Sequence, residues 1–262
     1  MTDDLVDSDI LVTHPQHQPD HQLLQPDNIQ NLYEEYSFKW GMSIVDNLCF
    51  NSVKTMKNSQ HGYVDYLKKN KVKKYKIVVE PAKMNTAPAI LASALIKDIT
   101  DTQPMMFLPA DHLVEKNSIF NKAINKNKTY LNGKNIFIFG IKPTNPSSEY
   151  GYFLTKKNKN NINKVVKFIE KPNINYAIKI VKKKGYWNSG IIFARKDSII
   201  NNFSRYQSKI LNLCIDSVYK SKISKNVYYL EKKSFKKIKE GSFDYAILEK
   251  SKDINGIKLD IP

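Results

Sequence analysis

The chain of 262 residues is long enough for one large α/β domain or two small ones. Hydrophobic residues form 41% of it, which favours a buried core over global disorder. Its longest nearly apolar stretch, Ala87 to Ile96, is too short to cross a bilayer, and its acidic start lacks the basic region of a signal peptide. Cys49 and Cys214 form neither a disulfide framework nor a zinc cluster. We therefore expect a cytoplasmic protein without a membrane partner.

The formal net charge of +17 comes almost entirely from lysine, because Arg195 and Arg205 are the only arginines among 42 basic residues. Recognition of base edges and phosphates favours the bidentate guanidinium of arginine. The lysines are interspersed with asparagine and isoleucine, a composition typical of an AT-rich genome. We therefore expect no nucleic-acid partner.

Residues 1–50 differ from the rest of the chain in charge. They hold nine acidic residues and one basic residue, a net charge of −8, whereas residues 51–262 hold 41 basic and 16 acidic residues, a net charge of +25. His14, His17 and His21 have a spacing that would suit a metal on a helix, but three prolines interrupt any such helix. We predict a poorly ordered acidic leader over 1–50 and a folded domain over 51–262.

From about residue 72 onwards, predicted strands alternate with predicted helices. Thr86 is the expected N-cap of the first helix, and Gly185 is the expected C′ residue of the second. Strands that alternate with helices indicate an α/β fold with a parallel or mixed sheet. The predicted strands cover 75–80, 105–109, 136–141, 165–170 and 190–194, and the predicted helices cover 87–97, 175–184 and 197–219.

Asp111 directly follows an apolar strand, in the motif Leu-Pro-Ala-Asp-His. Ligands of open α/β sheets bind beyond the carboxyl ends of the strands, and a carboxylate there can hold Mg²⁺ against a nucleotide phosphate. The alternative is that Asp111 caps the next turn.

Polar residues with sugar-binding chemistry occur at three further points. Glu170 can accept hydrogen bonds from sugar hydroxyls, and Lys171 can neutralise a phosphate, although the two could also form a surface ion pair. The Asn188 amide both donates and accepts, as a sugar hydroxyl requires. Gly151 lacks a Cβ atom, which lets a ligand approach the backbone.

Taken together, these motifs resemble those of the bacterial mannose-1-phosphate guanylyltransferases, or GDP-mannose pyrophosphorylases. The resemblance covers roughly residues 60–255. The matching motifs occur in family order and are Asn85-Thr-Ala-Pro-Ala-Ile90, Leu108-Pro-Ala-Asp-His112, Phe139-Gly-Ile-Lys-Pro-Thr144 with Tyr150-Gly-Tyr152, Phe168-Ile-Glu-Lys-Pro172, Trp187-Asn-Ser-Gly190 and Ser242-Phe-Asp-Tyr-Ala246.

The resemblance implies a Rossmann-like nucleotide-diphospho-sugar transferase fold, with a mixed sheet flanked by helices. It implies transfer of GMP from GTP to mannose 1-phosphate, which gives pyrophosphate and GDP-mannose, a precursor of polysaccharides, with Mg²⁺ as cofactor. The partners expected are therefore GTP and mannose 1-phosphate, and a homo-oligomer is left open.

The resemblance also implies a role for each candidate residue. Asp111 would bind the metal and act with Lys171 in catalysis, and Lys171 would bind the sugar phosphate. Glu170 and Asn188 would hold mannose hydroxyls beside the backbone of Gly151. The residues expected near the guanine and the ribose are Glu80, Asn85 and Thr86.

Two features of the family pattern are not found. The family's first strand is followed by a glycine-rich GGxGxR loop that holds the triphosphate, but no two glycines here lie closer than five residues apart. We therefore expect the usual first strand and phosphate loop to be lacking. The family's second metal aspartate, in a Trp-Ser-Asp-Val-Gly-type motif, is also not met before Pro262.

Three hypotheses follow from these departures. The chain is a guanylyltransferase with impaired activity or a truncated fragment of one, an enzyme completed by a partner chain, or a non-catalytic sugar-phosphate-binding or regulatory relative. Affinity for GTP separates the first two hypotheses from the third.

Overall fold

The computed structural model describes residues 75–97, 99–109, 117–157 and 162–259, together with the backbone of two short strands in the acidic leader. The remaining residues of the leader lie outside the described ranges, so its poor order stays a prediction. Within the described ranges, no helix is long and apolar enough to cross a membrane.

Eleven strands form one mixed sheet across the described residues. In spatial order they run β5-β11-β7-β6-β8-β4-β2-β1-β3-β10-β9. In chain order the strands are β1 (Ile10–Thr13), β2 (Gly41–Val45), β3 (Tyr75–Val79), β4 (Pro104–Pro109), β5 (Ile136–Ile141), β6 (Tyr152–Lys157), β7 (Asn163–Ile169), β8 (Tyr186–Arg195), β9 (Lys222–Ser224), β10 (Val227–Tyr229) and β11 (Ile254–Leu259).

The sheet has a group of five parallel strands and a second group in which the pairs are antiparallel except for β5 with β11. β4, β2, β1, β3 and β10 run parallel to one another, so the two strands of the leader lie between β3 and β4. β8 is antiparallel to β4, β5 and β6. The prediction of an α/β fold with a mixed sheet is therefore confirmed.

β8 brings together the ends of two other strands. Gly140 of β5 pairs with Asn188, and both Ile141 of β5 and Tyr152 of β6 pair with Trp187. Because β5, β11, β7, β6 and β8 also pair in a closed circuit, this half of the sheet curls around buried side chains. The circuit holds Gly140 and Asn188 directly, and it ends next to Gly151 and Glu170.

The helices pack against the sheet and against one another. In chain order they are α1 (Thr86–Ala94), α2 (Asn117–Asn127), α3 (Ile174–Lys182), α4 (Lys196–Tyr206), α5 (Ser208–Tyr219) and α6 (Lys232–Phe235), with a 3₁₀ turn at Lys128–Tyr130 and a π-helical turn at Asp244–Leu248.

Three predicted details of the helices are wrong. The N-cap of α1 is Asn85, whose side chain accepts a hydrogen bond from the Thr86 N–H at 2.8 Å. The long helix predicted over 197–219 is two helices, because the chain leaves helical geometry at Gln207. At the end of α3, Lys184 and not Gly185 takes the left-handed conformation, with φ of 58°.

Gly185 is nevertheless required at the end of α3. Its N–H donates to the carbonyl oxygen of Ile180 at 3.0 Å, and the Lys184 N–H donates to Val181 at 2.9 Å. These two bonds form a Schellman motif. A Cβ atom at Gly185 would overlap Ile180 Cγ2, so glycine is needed here for close packing and not for its φ angle.

Candidate functional site

Gly151 is the point at which three of the predicted sugar-binding residues meet. A Cβ atom at this position would overlap Glu170 Oε2 and would lie 3.5 Å from Asn188 Cβ. The carbonyl oxygen of Gly151 also accepts a hydrogen bond from the Asn188 N–H at 2.8 Å. Asn188 lies on β8, Gly151 directly precedes β6, and Glu170 directly follows β7. The sheet itself therefore brings together residues that are up to 37 positions apart in the sequence.

The loop before Gly151 is held by the buried side chain of Tyr152. The Tyr152 hydroxyl donates to the carbonyl oxygen of Ser147 and accepts from the Ser147 N–H, both at 2.9 Å. Tyr150, half exposed, contacts Trp187 with ring centroids 4.8 Å apart. An aromatic surface of this kind beside a glycine suits the apolar face of a sugar ring.

Asn188 is oriented by a residue from another part of the chain. Its Nδ2 donates to Asp244 Oδ1 at 2.8 Å, and its Oδ1 accepts from the Gly190 N–H at 3.3 Å. A primary amide has two N–H donors and two lone pairs, so one donor and one acceptor are left for a ligand.

Glu170 lies among charges of both signs. Burial first, and the negative charge of Asp244 second, raise the pKa of Glu170 to about 7, while the Lys171 ammonium opposes the shift. The Glu170 N–H donates to Glu249 Oε1 at 3.2 Å, which brings a third carboxylate to the site. Burial likewise raises the pKa of Asp244 to about 6. Perturbed carboxylates that converge on one point are typical of functional sites.

Lys171 is exposed and takes a left-handed backbone conformation with φ of 41°. A residue with a Cβ atom is disfavoured in this region by about 1–2 kcal/mol. Such strain persists where the surrounding structure fixes it, and it is concentrated at functional sites. Here it follows from the two neighbours of Lys171, since Glu170 faces Gly151 and Pro172 is buried.

Gly151→Ala is predicted to weaken sugar-phosphate binding by at least about tenfold, because the new methyl group displaces the Glu170 carboxylate and a hydrogen bond to a charged group is lost. Gly241→Ala is the matched control, since a Cβ atom there meets nothing within 4 Å. Isothermal titration of both variants with mannose 1-phosphate measures the effect. Equal affinities would contradict the assignment of Gly151.

Asn85 and Thr86, at the start of α1, are linked to the same centre through Phe243 and Asp244. Asn85 has φ of 68°, and the Thr86 Oγ1 accepts from the Phe243 N–H at 2.8 Å. Phe243 directly precedes Asp244, so one segment of the chain contacts both the predicted nucleotide residues and Asn188. The nucleotide and sugar roles themselves stay predictions.

Glu80, at the end of β3, is 9% exposed, and neither carboxylate oxygen has a hydrogen-bond partner among the described residues. Burial raises the pKa of Glu80 well above its ordinary value. Its charge in turn adds to the effect of burial in raising the pKa of the Cys214 thiol. A buried carboxyl group with unused acceptors suits the N–H donors of a nucleobase, which is the role the sequence predicts for Glu80.

Glu80→Gln is predicted to stabilise the ligand-free protein at pH 8. Because the folded pKa of Glu80 is raised, the folded state holds its proton more tightly than the unfolded chain, and stability falls as pH rises above about 4.5. Glutamine cannot ionise, so its advantage should shrink towards pH 5. Thermal melts at both pH values measure the difference, with exposed Glu240→Gln as control. A variant less stable than wild type at pH 8 would refute the interpretation.

Asp111, the predicted metal ligand, lies outside the described residues. Pro109, two positions before it at the end of β4, is within 3.1 Å of where a Cβ atom on Gly190 would lie. Within the described parts of the chain, no three His, Cys, Asp or Glu side chains are grouped to hold a metal ion. The prediction of Mg²⁺ therefore depends on Asp111.

Asp244 and Glu249 were not predicted as site residues, although both carboxylates reach the centre formed by Gly151, Glu170 and Asn188. A signal was present, because Asp244 lies within the segment Ser242–Ala246 that matches the family pattern. The motif showed that the segment matters, but a contact across 56 positions could not be inferred from it.

Comparison with known proteins identifies the family. The family model described as nucleotidyl transferase matches residues 45–237. A mannose-1-phosphate guanylyltransferase of Escherichia coli is 34% identical over 200 residues, which cover 71% of this chain and 42% of that protein. The chain thus spans less than half the length of this curated relative.

Solved structures show the same fold at lower sequence identity. A crystal structure titled mannose-6-phosphate isomerase from Helicobacter pylori has a TM-score of 0.76 at 22% identity and covers 97% of both chains. One titled mannose-1-phosphate geranyltransferase, from Thermus thermophilus, has a TM-score of 0.74 at 17% identity and covers 98% of this chain and 75% of that one. With the predicted resemblance confirmed by the family model and the curated relative, the chain belongs to the nucleotidyl transferase family.

Proposed function

We propose that this chain binds mannose 1-phosphate in the site around Gly151, as a guanylyltransferase that transfers GMP from GTP. The observation that carries the proposal is the approach of the Glu170 carboxylate to Gly151, with Asn188 on the adjoining strand and Lys171 next in sequence. Carboxylate and amide groups suit the hydroxyls of a hexose, and an exposed ammonium suits its phosphate. The sequence similarity to a mannose-1-phosphate guanylyltransferase supports mannose as the sugar.

The reaction requires two phosphates to be held in line. An oxygen of the sugar phosphate attacks the α-phosphorus of GTP, a new P–O bond forms, and the bond to the β-phosphate breaks to release pyrophosphate. Lys171 offsets negative charge as the two phosphates approach each other. Glu170 and Asn188 fix the ring, so that the attacking oxygen points towards the nucleotide. Mg²⁺, bound through Asp111, would supply further charge stabilisation.

Binding of mannose 1-phosphate is predicted to weaken as pH falls through about 7. The pKa of Glu170 is raised to about 7, so the carboxylate is largely ionised above this value and protonated below it. An ionised carboxylate is the stronger acceptor for sugar hydroxyls. Titration calorimetry between pH 6 and 8.5 measures the dependence.

Glu170→Gln provides the control for this experiment. Glutamine keeps an acceptor oxygen but cannot titrate, so the pH dependence that remains in the variant belongs to Asp244, whose pKa is raised to about 6, and to the sugar phosphate, whose second pKa is also about 6. The difference between the two profiles isolates Glu170. Wild type that binds no mannose 1-phosphate at any pH would overturn the proposed function.

A second candidate is a non-catalytic sugar-phosphate-binding relative. It is favoured by the spacing of the glycines, none closer than five residues apart, which provides no glycine-rich loop to hold a triphosphate. The two candidate functions share the sugar site and differ in whether the chain binds GTP. Binding of mannose 1-phosphate without measurable GTP affinity would support the non-catalytic candidate.

A further inference from the structure

Residues 241–249, here called the bridging segment, contact both halves of the proposed site. On the nucleotide side, the Phe243 N–H donates to Thr86 Oγ1 at 2.8 Å, and the Gly241 N–H donates to the carbonyl oxygen of Met84 at 3.2 Å. These bonds anchor the start of the segment to the residues that begin α1. Asp244 therefore directly follows a stretch of backbone that these hydrogen bonds hold in place.

On the sugar side, two carboxylates of the bridging segment act on residues of the sheet. Asp244 Oδ1 accepts from Asn188 Nδ2 at 2.8 Å, and Glu249 Oε1 accepts from the Glu170 N–H at 3.2 Å. Neither carboxylate belongs to the strands that carry Asn188 and Glu170. The sugar residues are thus supported from outside the sheet.

The contact with Asp244 decides which way the Asn188 amide points. An ionised carboxylate only accepts hydrogen bonds, so it selects the NH₂ group of the amide and turns the carbonyl oxygen away. The Gly190 N–H, at 3.3 Å from Asn188 Oδ1, agrees with the same orientation from the opposite side. Without Asp244, only the longer hydrogen bond from the Gly190 N–H would favour this orientation, and a sugar hydroxyl would meet the wrong group of the Asn188 amide more often.

We propose that Asp244 is a positioning residue for the sugar: it orients the Asn188 amide so that the amide presents one defined donor and acceptor to a hexose hydroxyl. This inference rests on the proposed function, since it assumes that Asn188 faces the sugar. It assigns to Asp244 no contact with the reacting atoms. Asp244 also begins a π-helical turn, so a structural role as a cap is the competing explanation.

The test compares mannose 1-phosphate binding by two variants of the 262-residue chain. Asp244→Ala is expected to weaken binding at least about tenfold, because the hydrogen bond that orients Asn188 is lost. Asp244→Asn is expected to stay within about threefold of wild type, because its amide oxygen can still accept from Asn188 Nδ2. Asp216→Ala, at an exposed carboxylate on α5 paired with Lys220, is the control and should bind as wild type does.

A second measurement reports on the amide directly, without ligand. The side-chain NH₂ resonances of Asn188 in a ¹⁵N spectrum are expected to move and to exchange faster with solvent in Asp244→Ala, but not in Asp216→Ala. Unchanged resonances would overturn the inference whatever the ligand does.

The remaining outcomes separate the inference from the proposed function. If wild type binds mannose 1-phosphate and Asp244→Ala binds it equally well while melting at a lower temperature, Asp244 is only a cap, and the inference alone is overturned. If wild type does not bind the sugar phosphate, the proposed function is overturned and the inference with it.

Discussion

Phe153→Ala is expected to lower the free energy of unfolding by about 3–5 kcal/mol, a large part of the stability of a domain of this size. Phe153 is fully buried on β6, inside the closed circuit formed by β5, β11, β7, β6 and β8. Its ring is stacked on Tyr186, with centroids 6.0 Å apart. Removal of the ring leaves a cavity at the centre of a curled sheet, which cannot collapse without breaking strand pairs.

Two glycines form the space that the Phe153 ring fills. A Cβ atom on Gly140 of β5 would overlap Phe153 Cζ, and one on Gly256 of β11 would lie 2.7 Å from Phe153 Cε2. Glycine is therefore needed on both neighbouring strands for packing. The packing of Phe153 on β6 also fixes the position of Gly151, which directly precedes this strand.

The double variant Gly140→Ala with Phe153→Ala tests this explanation. Gly140→Ala alone should destabilise the protein through the clash, but the same methyl group should partly fill the cavity left by Phe153→Ala, so the two effects should not add. Tyr219→Ala, at a 74% exposed aromatic, is the control and should cost less than about 1 kcal/mol. Chemical denaturation gives the free energy of unfolding of all four variants. Strictly additive losses in the double variant would show that the Phe153 ring and Gly140 do not share a space.

The strand predictions were uneven: β8 begins at Tyr186 and not at the predicted 190, and β6, β9, β10 and β11 were not predicted. β5 was predicted at its observed bounds, 136–141, because a run of buried apolar residues between a glycine and a proline has few alternatives. The end of α3 shows the opposite case. Lys184 takes the left-handed position because Gly185 is required one residue later to pack on Ile180, and sequence alone cannot show that contact.

Three residues of the candidate site were predicted from motifs, but the contacts that support them were not. Gly151, Glu170 and Asn188 were recognised from motifs, and the structure brings them together. Asp244 and Glu249 contact them through hydrogen bonds that cross 56 and 79 positions of the chain. Such contacts depend on how the bridging segment returns to the sheet, and no local pattern of charge or hydrophobicity encodes that path.

The 262-residue chain is expected to be a very poor catalyst of GDP-mannose synthesis, with a turnover below about 1 s⁻¹, at the lower limit of ordinary enzymes. The residues of the proposed sugar half, Gly151, Glu170 and Asn188, lie together, but the sequence has no glycine-rich loop to hold the triphosphate. Loss of one preorganised group that stabilises transition-state charge typically costs about 10²–10³ in rate. Ground-state binding of GTP should suffer as well, because the backbone amides of such a loop bind phosphate.

Sugar binding and catalysis should therefore separate in this chain. Purified protein is mixed with GTP, mannose 1-phosphate and Mg²⁺, and release of pyrophosphate is measured beside a full-length member of the family as positive control. Calorimetry with mannose 1-phosphate alone is run on the same preparation. We expect binding of the sugar phosphate with little turnover, because Glu170, Asn188 and Gly151 do not depend on the triphosphate loop for their positions.

Lys171→Ala should weaken the remaining binding of mannose 1-phosphate, since the Lys171 ammonium offsets the charge of the phosphate. Turnover well above about 1 s⁻¹ would contradict the prediction, and it would mean that another part of the chain, such as the acidic leader, supplies a phosphate site without closely spaced glycines.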